Sequence, residues 1–109
     1  MTTTKNFKIE QGTSWSADFL IYQDGQILDS AWSIRAQVRA DHGSPVLYEW
    51  STQEGNAVLT GGVVSLVVQP QESAAWDWRH GIYDLEITNG TITERALVGT
   101  VQVSPAVTR

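Results

Sequence analysis

The sequence predicts an all-β protein, an antiparallel sandwich of about seven or eight strands with one short helix near residues 70–79, and three observations predict it. Glycine and proline cut the chain into short segments. Inside those segments apolar residues recur with period two, the spacing of a strand that buries one face. Turn signals return about every ten residues, the rhythm of two packed sheets. At 109 residues the chain makes one compact domain, residues 1–109, burying roughly two-thirds of the surface its unfolded form exposes. Short polar stretches at about 1–5 and 106–109 are expected to be flexible tails.

The elements follow in order. Phe7–Glu10 alternates and reads as an edge strand. After Gln11-Gly12, a second strand covers residues 13–22, with Trp15, Ala17 and Phe19 on one face before Leu20 and Ile21 break the pattern. Asp24-Gly25 tolerates the positive φ angles of a tight hairpin, and Ile27 and Leu28 then lie in a loop-like stretch. Residues 32–39 give the cleanest strand: Trp32, Ile34, Ala36 and Val38 face the core, while Ser33, Arg35, Gln37 and Arg39 face water. A turn at 41–45, a strand at 46–50 and a turn at 53–56 come next. Residues 57–60 form a strand, Gly61-Gly62 interrupts, and the valine-rich run 63–68 reads as a strand buried on both faces.

Pro70 opens the helical passage, because its fixed φ suits a first helical position. Glu72 complements the positive N-terminal end, Arg79 and His80 the negative end, and Gly81 can adopt the left-handed stop. About two turns cannot stand alone, so packing through Ala74 and Trp78 is required. Residues 81–88 alternate, with Tyr83, Leu85 and Ile87 on one face and Asp84 and Glu86 on the other. Asn89-Gly90 is the strongest hairpin signal in the chain. The strand that returns over 91–103 keeps Leu97, Gly99, Val101 and Val103 in register. Gly99 in its middle marks a bulge or a close approach by another backbone, and Ser104-Pro105 ends it.

Composition excludes several function classes. With no cysteine there is no disulfide scaffold, thiol enzyme or cysteine zinc site. Twelve acids against seven bases, a formal charge of −5, argue against a nucleic-acid surface, which needs clustered Lys and Arg. The longest apolar stretches run about five residues, so nothing here is a membrane-spanning helix. The opening residues lack the apolar core of a signal peptide, and the chain reads as a soluble acidic domain made inside a cell.

Two stretches resemble known proteins. Gly81-Ile-Tyr-Asp-Leu85 resembles the Gly-x-Tyr-x-Cys corner of immunoglobulin-like domains, with Leu85 at the cysteine position. That resemblance implies a structural corner of Gly81, Tyr83 and Leu85, with the Tyr83 hydroxyl bonded back to the backbone of residues 77–80. It makes the expected fold an antiparallel immunoglobulin-like β-sandwich. A longer likeness begins with Phe7-Lys-Ile-Glu-Gln-Gly-Thr-Ser-Trp-Ser-Ala-Asp-Phe19. It ends with Gly81-Ile-Tyr-Asp-Leu-Glu-Ile87 and the segment from Arg95 through Thr-Val-Gln-Val-Ser-Pro. These segments are similar to small tailed-bacteriophage virion proteins, in particular the N-terminal sandwich of baseplate upper proteins and related fibre-attachment modules. The resemblance implies a non-enzymatic virion component, made in the host cytoplasm and placed at the tail, baseplate or fibre attachment. Its partners would be other phage virion proteins, with homo-oligomers in the assembly. A capsid decoration protein is the alternative within that class.

Five tryptophans raise a third reading, a carbohydrate-binding module in which indole faces stack on sugar rings. Trp15 and Trp32 fall on buried strand phases, whereas Trp50, Trp76 and Trp78 lie near turns or on the helix. Two residues apart on a helix, Trp76 and Trp78 cannot share a face, so one should point outward to solvent or a partner. The expected partner-contact residues are therefore Trp50, Trp76 and Trp78, with Phe7 and Ile9 on an edge strand that could accept a neighbour's strand. His42 and His80, each beside one acid in a turn, do not make a metal site. No nucleophile elbow, phosphate loop or facing carboxylate pair is present, so no catalytic residue and no cofactor are expected.

Overall fold

The computed structural model describes residues 2–107. Its strands are β1 (Thr3–Thr4), β2 (Phe7–Glu10), β3 (Trp15–Leu20), β4 (Tyr22–Gln23), β5 (Gln26–Ile27), β6 (Ser33–Arg39), β7 (Val46–Ser51), β8 (Ala57–Thr60) and β9 (Val63–Val68). A single-turn helix, α1 (Pro70–Ala74), precedes the long strands β10 (His80–Thr88) and β11 (Thr93–Ser104). The large sheet has the order β1-β11-β10-β6-β7, with β2 also paired to β11. Facing it is a small sheet, β3-β9-β8, and β4 and β5 form a separate hairpin. Between the sheets lies one apolar core whose fully buried members include Ile9, Leu28, Ile34, Val38, Trp50, Leu66, Leu85 and Val101.

Period two carries through where the sequence shows it. In β6, Ile34, Ala36 and Val38 are buried and Ser33 and Arg35 are exposed; in β10, Tyr83, Leu85 and Ile87 are buried while Glu86 is exposed. Asp24 (φ 53°) and Gly25 (φ 76°) supply the two positive φ angles of the β4–β5 hairpin. Ile27 is inside that hairpin as a residue of β5, and Leu28 beyond it is core, so the stretch is more ordered than its sequence suggests. The run 63–68 is buried on one face only: Val64, Leu66 and Val68 point in, whereas Val63 is exposed on the outer face.

Four expectations are corrected. First, the sandwich is mixed rather than wholly antiparallel, because β1 and β2 both run parallel to β11, Thr3 opposite Leu97 and Phe7 opposite Val101. Second, residues 2–5 are not a loose tail: Thr3–Thr4 is a strand, and the Thr2 hydroxyl donates to the Arg95 carbonyl. Residue 1 and residues 108–109 of the expected tails lie outside the described residues. Third, α1 stops at Ala74, well short of Arg79, so Arg79 and His80 do not cap it and Gly81 lies inside β10. The reason is aromatic. Trp76 and Trp78 stack with ring centroids 4.7 Å apart, and residues two apart share a face only in extended chain. Fourth, the Asn89-Gly90 hairpin uses a four-residue loop: Thr88 still pairs with Thr93, and the Asn89 side chain accepts from the amides of Thr91 and Ile92.

Gly99 is the close approach the sequence points to. A Cβ there would strike the Lys5 carbonyl and the Asn6 side chain. This is where the N-terminal strand breaks between β1 and β2 and is bonded back onto β11, Lys5 N–H to Val98 O at 2.9 Å and Thr100 N–H to Asn6 Oδ1 at 3.0 Å. Gly99→Ala should therefore cost about 1–3 kcal/mol of stability in denaturant unfolding. Amide exchange should accelerate first at Lys5 and Thr100; an unchanged midpoint would contradict the packing described.

Candidate binding surfaces

The predicted site residues separate into two groups. Phe7, Ile9 and Trp50 are buried in the core, which corrects the expectation for Trp50 and leaves Phe7 and Ile9 only the backbone of their strand to offer a neighbour. β2 does lie at the margin of the large sheet, yet its apolar side chains face inward and only Lys8 and Glu10 face out. Trp50 sits deep because its neighbours in register alternate with polar outward residues: it opposes Ala36, while Glu49 opposes Gln37. Its indole N–H donates to the Val67 carbonyl at 3.1 Å and so ties the large sheet to the small one.

Trp76 and Trp78 are half-buried on the extended segment after α1. Trp76 meets the edge of Tyr48 with centroids 5.0 Å apart, and Tyr48 in turn meets Trp50 at 5.2 Å. An aromatic chain thus runs from Trp78 at the surface to Trp50 in the core. The two indoles lean against one another at an interplanar angle of 31°, so each has one face turned to its neighbour. Among the described residues the Trp78 Nε1 donor has no hydrogen-bond partner.

Tyr48 is the polar hub of this region. Its hydroxyl donates to Glu72 Oε2 at 3.0 Å and accepts from Asn56 Nδ2 at 3.1 Å. The Asn56 side chain also accepts from the Ser51 N–H and donates to the Glu49 carbonyl, which satisfies part of the free edge of β7. Burial pushes the Tyr48 phenol up to about 12, with the nearby Glu72 carboxylate adding to the effect and the Asn56 bond opposing it.

The corner residues Gly81, Tyr83 and Leu85 are all buried, Gly81 against Val38 and the Arg39 carbonyl. The Tyr83 hydroxyl does not bond to residues 77–80. It donates to the Lys5 carbonyl at 2.6 Å, and this corrects the expected corner. The parallel docking of β1 and β2 places that carbonyl above Gly99, opposite Tyr83 in register, where the hydroxyl can reach it. Burial raises the Tyr83 phenol well above its ordinary value.

One residue that sequence reasoning passed over is Gln11. Its amide donates to the Trp76 carbonyl at 3.0 Å and accepts from the Ala106 N–H at 3.3 Å, while the neighbouring Gly12 N–H donates to the buried Ser73 hydroxyl at 2.8 Å. The Gln-Gly-Thr turn therefore clamps the end of α1 to the end of β11. Its sequence signal was the turn itself, a long polar side chain beside a glycine.

The outward face of the large sheet is a shallow, open groove lined by Gln37, Arg39, His42, Ile82, Asp84 and Arg95. Within it Arg95 pairs with Asp84 at 3.4 Å and Arg39 donates to Gln37; beside it Gln37 donates to Glu49, which Arg35 approaches to 3.5 Å. Exposed pairs of this kind add little stability. Among the described residues no three His, Asp or Glu side chains converge to hold a metal ion, and His42 and His80 stand apart.

No protein-family model matches the chain, and no curated protein matches it. Solved structures do. The extracellular domain of the voltage-gated sodium channel beta4 subunit, described as a parallel homodimer that explains a role in cell–cell adhesion, aligns with a TM-score of 0.50 at 10% identity over 98% of this chain and 96% of that one. The N-terminal Ig1-2 module of the Drosophila receptor protein tyrosine phosphatase DLAR aligns at 0.52 and 16% identity over 95% of this chain, and a marsupial T cell receptor at 0.51 and 13% over 95%. This chain spans about half of each of the latter two, 47% and 51%. The fold is immunoglobulin-like, an all-β sandwich with one short helix, shared with adhesion and receptor domains.

Two outcomes follow from this geometry. Trp50→Phe removes an inter-sheet hydrogen bond and core volume, whereas Trp78→Phe keeps the stack and removes an unpartnered donor. The first should cost about 1–3 kcal/mol more than the second in matched denaturant titrations. The raised tyrosines make folding sensitive to alkali. The unfolded phenol ionises near its ordinary value of 10.0, so their contribution is complete below that pH. It is lost as the pH rises toward and past 12. Unfolding monitored with phenolate absorbance should therefore set in above pH 10.0, with the ionisation of Tyr48 coupled to the loss of structure.

Proposed function

We propose that this chain is a non-enzymatic structural component of a tailed-bacteriophage virion, acting through protein–protein contacts at the tail, baseplate or fibre attachment. One observation carries the reading. The two segments that resemble phage virion proteins, at the opening and close of the chain, are neighbours in the fold: β2 zips onto β11 in parallel, Phe7 opposite Val101 and Ile9 opposite Val103. The likeness thus joins β2 to β11 within the large sheet and continues through the Gln11 clamp into β3 of the small one. The solved neighbours support the coarser part, an immunoglobulin-like domain of the kind that meets other proteins, as the sodium channel beta4 domain does in its homodimer. The groove on the large sheet is open and brings no three metal-ligating side chains together among the described residues, which suits a binding face.

A tagged copy, followed by electron microscopy of purified particles, tests this directly. Label at the tail or its tip is the expected result. Regular label over the head would instead assign a decoration protein. Absence from particles, together with glycan binding that Trp78→Ala abolishes, would overturn the virion reading in favour of a sugar-binding module.

A further inference from the structure

We infer that the β10–β11 turn is a site of spontaneous covalent modification, where Asn89 cyclises onto the Gly90 nitrogen and reopens as aspartate or isoaspartate. The chain has three asparagines, and the fold sets them apart. Asn56 is half-buried, its side chain bonded to the Ser51 N–H, the Tyr48 hydroxyl and the Glu49 carbonyl. Asn6 precedes Phe7, a bulky residue fixed in the core, so the nitrogen next to it belongs to a strand that cannot shift. Asn89 alone is both exposed and followed by glycine. The space around Gly90 is open, with no atom beyond its chain neighbours within 4 Å of where a Cβ would stand, so no side chain shields its nitrogen. Its N–H is held by one long bond, to the Thr88 hydroxyl at 3.2 Å.

The bonds that close the turn also activate it. Asn89 Oδ1 accepts from the Thr91 N–H at 2.9 Å and the Ile92 N–H at 2.8 Å. When the Gly90 nitrogen adds to Asn89 Cγ, negative charge develops on that same oxygen, and two backbone donors already point at it. Nucleophile and electrophile are adjacent in the chain, so no encounter is needed. The step balances with water alone. Hydroxide removes the Gly90 amide proton, the nitrogen bonds to Cγ, and the bond from Cγ to the side-chain nitrogen breaks. Ammonia leaves with a proton from water, and a five-membered succinimide remains. Water then opens either of its two carbonyls: one opening restores the main chain with an aspartate, the other routes the main chain through Cγ. Each product carries one new negative charge, and isoaspartate adds a methylene to a loop closed by the Asn89 N–H to Ile92 carbonyl bond at 3.2 Å. The Thr88–Thr93 pair at the end of the hairpin is the first to lose its register. The inference needs no partner and stands apart from the virion reading.

The full chain, incubated folded at mildly alkaline pH and in parallel in concentrated urea, tests this by tryptic peptide mapping with mass spectrometry. Cleavage after Lys5, Lys8, Arg39, Arg79 and Arg95 puts the three asparagines in separate peptides. In the folded chain Asn89 should convert at least about tenfold faster than Asn6 or Asn56, with isoaspartate identified by enzymatic methylation of its carboxylate. Because a positioned oxyanion donor is worth about a hundredfold or more, the folded turn should react at least as fast as the same residues in urea. Gly90→Ala should slow the conversion at least about tenfold in urea, where folding plays no part, by crowding the nitrogen. Amide exchange of the converted protein should accelerate at Thr93 and leave Leu85 and Val101 protected. A folded Asn89 protected about tenfold or more relative to urea would overturn the inference, since its hydrogen bonds would then lock the turn rather than activate it. Conversion at Asn56 as fast as at Asn89 would overturn it too.

Discussion

Without a cysteine, the two sheets of this sandwich must be joined by packing, and the ring of Phe7 is where that packing concentrates. Phe7 lies 5.2 Å from Tyr83 and 6.3 Å from Trp50 in the large sheet, and 5.2 Å from Trp15 and 6.4 Å from Phe19 in the small one. Stacked and edge-on contacts of this kind add to area burial and fix ring orientation. The Trp50–Val67 hydrogen bond is the polar counterpart of the same bridge. In an immunoglobulin-like domain with a disulfide, a covalent link spans the gap; here Leu85 is buried between the sheets and the aromatic seam does the joining.

That seam depends on how the N-terminus arrives. Phe7 can enter the core only if β2 lies along β11, and β2 can lie there only if the strand before it breaks over Gly99. The Tyr83 hydroxyl then fixes the break by holding the Lys5 carbonyl. A small backbone detail at the sheet margin therefore controls the interior.

Local pattern was enough for the strands whose alternation is strict, such as β6 and β10, and for the Asp24-Gly25 turn, where the required φ angles name the residues. It also located the crowded backbone at Gly99. What escaped was tertiary. Nothing in Phe7–Glu10 distinguishes a parallel partner from an antiparallel one, and nothing in Gly-x-Tyr-x-Leu says that the hydroxyl will find Lys5, which is 78 residues away. The helix was overextended because Trp76 and Trp78 read as helical positions, when their mutual stacking demands an extended chain. Trp50 was misplaced for a related reason: proximity to a turn suggested exposure, but its phase in β7 puts it opposite Ala36 in the core.

The placement of charge distinguishes the two sheets. On the large sheet, bases and acids are interleaved and neutralise one another in short-range pairs. On the small sheet charge is nearly absent. Much of the excess acid sits at the ends and turns, at Asp24, Asp29, Asp41, Glu54 and Asp77. Acids set in turns stay hydrated and cost the core nothing, while the strand positions beside them are left to packing.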